Sequence, residues 1–176
     1  MKTEGVFINK DFADYIKSAQ LTLYGVGGAD IIGFGKKDFY IMEIDRKLAN
    51  KIIIENHYSH KIYNATYIHL GVFIGGKLLG VLQFGYAMNP ASQASVVKNT
   101  AIDEYLELNR MWLDDKAPRN SESKAISYAI KYIKKKFKGK IKWIQSFADE
   151  RCGKYGIVYQ ACNFKYYGEH KSDFWE

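Results

Sequence analysis

Proline and cysteine are scarce in this chain of 176 residues, which has two of each. So few prolines exclude a polyproline linker, and 47% hydrophobic with 15% aromatic residues is too apolar for a disordered chain. The cysteines, Cys152 and Cys162, make no disulfide framework, so a reduced, cytosolic protein is expected. No apolar signal-peptide core fits among Lys2, Glu4, Lys10, Asp11, Asp14 and Lys17. Long hydrophobic runs are missing too. The nearest, 67–88, is interrupted by Gly75-Gly76-Lys77 and carries His69 and Gln83, so it reads as two strands joined at a turn rather than a membrane span. Acidic charge is also in deficit. With 26 Lys and Arg against 19 Asp and Glu, the net +7 favours a polyanionic partner, nucleic acid or a phosphorylated cofactor. The length favours a single domain whose core needs neither metal nor disulfide.

Residues 1–38 are the hardest to read. An amphipathic stretch at 12–21 precedes Gly25, Gly27, Gly28, Gly33 and Gly35, which suggest turns between short extended pieces. Gly25-Val26-Gly27-Gly28 lacks the Gly-Lys-Ser/Thr ending of a phosphate loop. From residue 39 the pattern is clearer. A strand at 39–44 leads to a helix capped by Asp45 that runs to His57, with Leu48, Ala49, Ile52 and Ile53 at helical spacing. A hairpin follows at 67–74 and 78–86, then a polar loop to residue 101 and a strand at 105–113. Pro118-Arg119-Asn120-Ser121 opens a long helix with Ile126, Ala129, Ile130, Ile133 and Phe137 on its apolar face, closed by Lys138-Gly139-Lys140. A strand at 141–148, a short helix at 155–162 stopped by Asn163, and a last strand at 164–167 complete the chain. This order predicts an α/β protein with a central mixed sheet and helices on both faces.

Several residue groups carry chemistry. Lys116, Arg119 and Lys124 surround the start of the long helix, where cations are unfavourable unless an anion arrives; Ser121, Ser123 and the backbone N–H groups there suit phosphate. Alternatively, Asp114, Asp115 and Glu122 neutralise the cluster and Asn120 or Ser121 is a cap. In the strand at 105–113, adjacent Asn109 and Arg110 should point to opposite faces, so Arg110 pairs with Glu43 or Asp149 or meets a ligand. His57 and His60, at i and i+3, could share a helical face and hold a metal, while His57 and Tyr58 place proton-transfer groups at a helix end. Asp149, beyond the carboxyl end of an apolar strand, is a candidate general base. Tyr159 is either a proton donor or a core aromatic. Cys152 has Arg151 and Lys154 beside it but no adjacent histidine, which argues against a cysteine nucleophile. In the run from Lys131 to Lys142, Lys131, Lys134, Lys135 and Lys138 share one helical face able to track a phosphate backbone. A solvated lysine face is the plainer reading.

Asn109-Arg110-Met111-Trp112, the helix start 118–124, the strand 143–149 and the helix 156–164 together resemble the core of a GNAT acyltransferase. With His57-Tyr58-Ser59 in front, the chain more closely resembles the phage Mom family of DNA-modifying proteins, over residues 39–168. The resemblance implies a GNAT-like fold whose splayed central parallel strands admit the cofactor, with residues 39–176 as the catalytic domain and 1–38 as an extension packed on it. An acyl-CoA or another activated donor would rest its phosphates on 121–124, where serines and a lysine stand in place of the usual glycines. Asn163-Phe164 replaces the usual Gly-Phe.

Mom-like proteins convert adenine in double-stranded DNA to N6-carbamoylmethyladenine, shielding phage DNA from host restriction in the host cytoplasm. By resemblance, His57, Tyr58, Asp149 and Tyr159 line the reaction centre, and Arg110, Arg119, Ser121, Ser123 and Lys124 lie on the donor side. Asp149 would accept an N6 proton while Tyr159 or Tyr58 gives one to the departing group, and His57 would orient them or hold a metal ion. Reaching N6 in a pocket calls for flipping the base. Because carbamoylmethyl ends in an amide, the donor or a further step must supply nitrogen. A glycine-derived activated species, acetyl-CoA with rearrangement, and a metal-assisted route are the open alternatives for the donor. Two other readings compete: a GNAT enzyme acting on a small-molecule or protein amine, and a basic nucleic-acid-binding protein without catalysis.

Overall fold

The computed structural model describes residues 5–10, 30–90, 93–149 and 155–169. Seven strands form one sheet in the order β1 (Val6–Asn9), β2 (Ile31–Lys36), β3 (Phe39–Glu43), β4 (Thr66–Ile74), β5 (Lys77–Gly85), β6 (Tyr105–Leu113) and β7 (Trp143–Gln145). Neighbours are antiparallel except for β6 and β7, which are parallel. Helix α1 (Arg46–Asn56) packs Ala49 and Ile53 on Val81 at one face. Helix α3 (Ser121–Lys136) buries Ala125, Ile126, Ala129, Tyr132 and Ile133 against Leu70, Leu82, Leu106 and Leu108 on the other. Short helices α2 (Gln93–Val96) and α4 (Ile157–Ala161) complete the described elements, with a 3₁₀ turn at Ile102–Glu104. The sheet is therefore mixed, with helices on both faces, as expected.

Local chemistry sets the boundaries. Asp45 caps α1, its Oδ1 accepting from Lys47 N at 2.7 Å, and the helix stops at Asn56 because His57 is extended. Gly75 and Gly76 both have positive φ, +57° and +77°, the two-residue turn that matches strand twist. Lys138 and Gly139 are left-handed at the end of α3, and Gly139 N donates to Lys134 O at 3.0 Å.

Four expectations need correction. Gly33 and Gly35 are not turn residues: both lie in β2, where a Cβ on Gly33 would come within 2.2 Å of Ile41 O, so close strand approach requires the glycine. The strand expected at 141–148 is reduced to Trp143–Gln145, because β7 leaves β6 after the Glu107–Gln145 rung. Residues 164–167 form no strand: Phe164 turns in to Tyr159, with ring centroids 5.6 Å apart, while Lys165, Tyr166 and Tyr167 are all exposed, so no alternating face exists to bury. Finally, Asn109 and Arg110 do not face apart. Gln83 is opposite Arg110 and Phe84 opposite Leu108, so Asn109 is the extra residue of a bulge and both polar side chains share the α1 face. The amphipathic stretch 12–21 and the glycines at 25–28 lie outside the described residues.

Beneath α1, Gln83 is fully buried and its Nε2 donates to Asn50 Oδ1 at 2.9 Å and to His69 Nδ1 at 3.2 Å. Burial, with Arg46 adding to it, holds His69 below its ordinary value of 6.5. The unfolded chain thus takes up this proton first, so the contribution of neutral His69 is complete above pH 6.5 and is lost as pH falls below it. The denaturant midpoint should fall between about pH 7.5 and pH 5.5, and fall less in His69→Gln. Equal losses in the two proteins would remove His69 from the account.

Candidate functional site

At the carboxyl end of β7, residues 146–149 run along the gap between strands. Ser146 shares a hydrogen bond with the Tyr159 phenol and donates to Leu108 O at 3.2 Å, while Ala148 lies against Gly156. Those two side chains face α4. Asp149 meets the loop after α1, where Tyr58 Oη donates to its Oδ2 at 3.5 Å. The same loop holds His57, which is buried and whose Nδ1 accepts from Ser59 N at 3.2 Å; the His57 and Tyr58 rings are 4.3 Å apart. Tyr58 and Phe147 are exposed at 58% and 59%. Of the expected catalytic residues, His57, Tyr58 and Asp149 are thus gathered. Tyr159 stands on the far side of the 146–149 segment, and burial raises its phenol pKa.

Sequence reasoning missed Glu107, Gln145 and Tyr63 next to this cluster. Glu107 is buried and accepts from Asn109 Nδ2 at 3.0 Å and from Gln145 Nε2 at 2.9 Å. Tyr63 lies near enough to Glu107 and Arg110 to feel both charges, although burial contributes most to its raised pKa. The visible signal was a carboxylate between Leu106 and Leu108, which alternation alone reads as a solvent-facing position. Arg110 pairs with neither Glu43 nor Asp149. It donates to the backbone carbonyls of Lys61 at 3.2 Å and Asn109 at 2.7 Å, while Glu43 is taken by Tyr132 and Lys136.

The start of α3 forms a separate open cleft of about 520 Å³, lined by Arg119, Ser121, Ser123 and Lys124 with Asp38, Phe39 and Ile74. No side chain caps the helix, since Asn120 is left-handed and makes no cap hydrogen bond, so the alternative of a simple cap does not hold. An uncapped N-terminus among an Arg, a Lys and two serines has the chemistry of an anion site. Lys124 extends its ammonium 4.2 Å from the Phe39 ring centre, and burial with nearby Lys36 lowers its pKa. Arg110 does not line this cleft, and none of the lining residues belongs to the Tyr58–Asp149 cluster.

Lys131, Lys134, Lys135 and Lys138 are exposed and make no ion pair among the described residues, whereas Lys136, Lys140 and Lys142 pair with Glu43, Asp103 and Glu104. Lys131, Lys134 and Lys135 stand at i, i+3 and i+4 on α3 and form one exposed face. Lys131 and Lys135 lean over the rings of Phe34 and Phe7, and Lys138 lies past the helix end in the left-handed turn. They belong to the α3 layer, across the sheet from the α1 layer that supplies Tyr58.

The histidine pair shares no helical face either. His57 is already extended, and His60 is left-handed at φ +48° with Nδ1 2.7 Å from Ile54 O. Among the described residues no group of three or more His, Cys, Asp or Glu is gathered. Cys162 donates to Ser123 O at 3.2 Å and burial raises its thiol pKa; Cys152, on which the expectation against a nucleophile rests, lies outside the described residues. No helix among the described residues is long and apolar enough to cross a membrane.

The model of the Mom protein family matches residues 38–176. The protein named methylcarbamoylase mom, from Escherichia phage Mu, is 53% identical over 146 residues, covering 83% of this chain and 60% of that protein. The chain therefore spans about 60% of the length of that curated relative. A solved structure described as a possible acetyltransferase from Clostridium difficile 630 overlaps with a TM-score of 0.49 at 12% identity, covering 79% of this chain and 97% of that one.

Because the Tyr159 phenol is tied to Ser146 in a buried setting, Tyr159→Phe should lower stability by about 1 kcal/mol, read as a shift in urea midpoint. An unchanged midpoint would mean that the phenol contributes no net stability.

Proposed function

The chain belongs to the Mom protein family, and from that membership we propose that it is a transferase that modifies adenine in double-stranded DNA, converting it to N6-carbamoylmethyladenine and so protecting phage DNA from host restriction. The identity to a methylcarbamoylase across most of the chain carries this reading, and the Tyr58–Asp149 cluster gives it a place to act.

The N6 lone pair of adenine is delocalised into the ring, so N6 attacks efficiently only as its proton is withdrawn. Asp149 is the acceptor for that proton, at the open end of the strand gap. Tyr58 holds the carboxylate through its hydroxyl and is the phenol on the adenine side; His57 braces it from below. Tyr159 and Ser146 lie on the opposite side of the 146–149 segment, where a donor would lie. The donor, acyl-CoA or another activated species with a phosphate group, supplies the electrophilic carbon. The N6–C bond forms as that carbon's bond to its leaving group breaks, the leaving group takes a proton from Tyr159 or Tyr58, and the donor or a further step supplies the amide nitrogen. Arg119, Ser121, Ser123 and Lys124 fit its phosphates, since the uncapped helix start and two cations line a cleft with room for them. Exposed Tyr58 and Phe147 offer stacking surface to a flipped base. With the Lys131–Lys138 face in the opposite layer, duplex contact there would require DNA to pass around the sheet edge.

Expression in bacteria, digestion of plasmid DNA to nucleosides and mass spectrometry should reveal carbamoylmethyl-deoxyadenosine. In Asp149→Asn the product should form about 10²- to 10⁴-fold more slowly, as expected for loss of a general base. Unmodified deoxyadenosine from soluble, folded wild-type protein would refute the proposal.

A further inference from the structure

Glu107 is a carboxylate where the fold could have used an apolar side chain. It is 6% exposed, and among the described residues no Lys or Arg side chain stands within ion-pair distance of it. Burying an unpaired charge is costly unless hydrogen bonds meet its oxygens. Here three donors do so, and all are neutral: Asn109 Nδ2 to Oε1 at 3.0 Å, Gln145 Nε2 to Oε2 at 2.9 Å, and Met88 N to Oε2 at 3.4 Å.

The origins of these donors make the arrangement informative. Gln145 faces Glu107 across the last rung of the parallel ladder, beyond which β7 leaves β6 and continues to Asp149. Asn109 is the extra residue of the β6 bulge, next to Arg110. Its amide is committed by two donations, to Glu107 and to Tyr86 O at 3.2 Å, which leaves Asn109 Oδ1 a buried acceptor without a partner. Met88 belongs to the segment that follows β5. One side chain therefore ties together the three stretches of chain around the gap.

We propose that Glu107 is the positioning residue of the reaction centre: its carboxylate fixes the point at which β6 and β7 part and, through Gln145 and Asn109, the places of Asp149 and Arg110. It acts through these neighbours rather than on substrate. The assignment rests on the reading of the Asp149 cleft as the adenine site, and it concerns the hydrogen bonds of Glu107 rather than its charge. A glutamine at this position can still accept from Asn109 and can donate to a reversed Gln145 amide, giving up only the 3.4 Å bond from Met88 N, whereas a leucine keeps none of the three.

The test compares Glu107→Leu with Glu107→Gln, measuring steady-state modification of a target duplex and amide hydrogen exchange over residues 146–149. Glu107→Leu should lower kcat about 10- to 100-fold, the penalty typical of a misplaced catalytic group, leave KM for DNA within about twofold, and speed exchange in the segment. Glu107→Gln should restore most of both. If Glu107→Leu does not fold, Gln145→Leu cuts the same rung from β7 and should give the same exchange signature. Wild-type kcat and exchange in the leucine variants would overturn the proposal. So would Glu107→Gln as impaired as Glu107→Leu, which would assign the role to the charge. Because exchange is read without turnover, a wild type that leaves adenine unmodified would refute the function while exchange still decides the positioning.

Discussion

The divergence of β6 and β7 is the constraint on which the site depends. Three parallel rungs hold the strands together, from Tyr105–Trp143 to Glu107–Gln145, and then the ladder stops. From that point β6 keeps its antiparallel bonds to β5, while the chain after β7 must find other partners, of which the Ser146 hydroxyl on Leu108 O is the first. A polar gap results, with Asp149 and Tyr58 on one side and Ser146 and Tyr159 on the other. The bulge at Asn109 serves the same end, since without the extra residue Arg110 would point into the leucines beneath α3 rather than toward Lys61.

The positive charge divides by layer. At the start of α3, Arg119 and Lys124 stand with serines at a helix N-terminus that no side chain caps, an arrangement that favours a bound anion. Along the remainder of α3, Lys131 and Lys135 hold their ammonium groups over the Phe34 and Phe7 rings, 5.3 and 5.8 Å from the ring centres, and both residues stay exposed. Lys136, Lys140 and Lys142 are neutralised in place. An excess of lysine in the sequence therefore maps onto three different jobs, and only residues without acidic partners remain available to a phosphate backbone.

The elements with strong local signals were legible in the sequence. Asp45 before an apolar helical pattern, paired glycines between alternating strands, and Gly139 after a lysine-rich turn each specify a boundary through short-range chemistry. Tertiary pairing was harder to see. β1 and β2 are short, and Gly33 and Gly35 look like breakers until the close approach to β3 is known. The early end of β7 is decided by its divergence from β6, and nothing local announces it. At the site, Asp149, Tyr58 and His57 carried their chemistry on their faces. Glu107 and Gln145 did not, because a carboxylate between two leucines looks solvated until its neighbours are shown to bury it.

The proposed reaction requires a target adenine to dock beside Asp149. A crystal structure of the protein with a DNA duplex bearing adenine at the target position tests the proposed function most directly. The base should be extruded beside Phe147 and Tyr58, with N6 within hydrogen-bonding distance of an Asp149 carboxylate oxygen, roughly 3 Å. An adenine left stacked in its duplex against the lysines of α3, with Asp149 facing solvent, would contradict it.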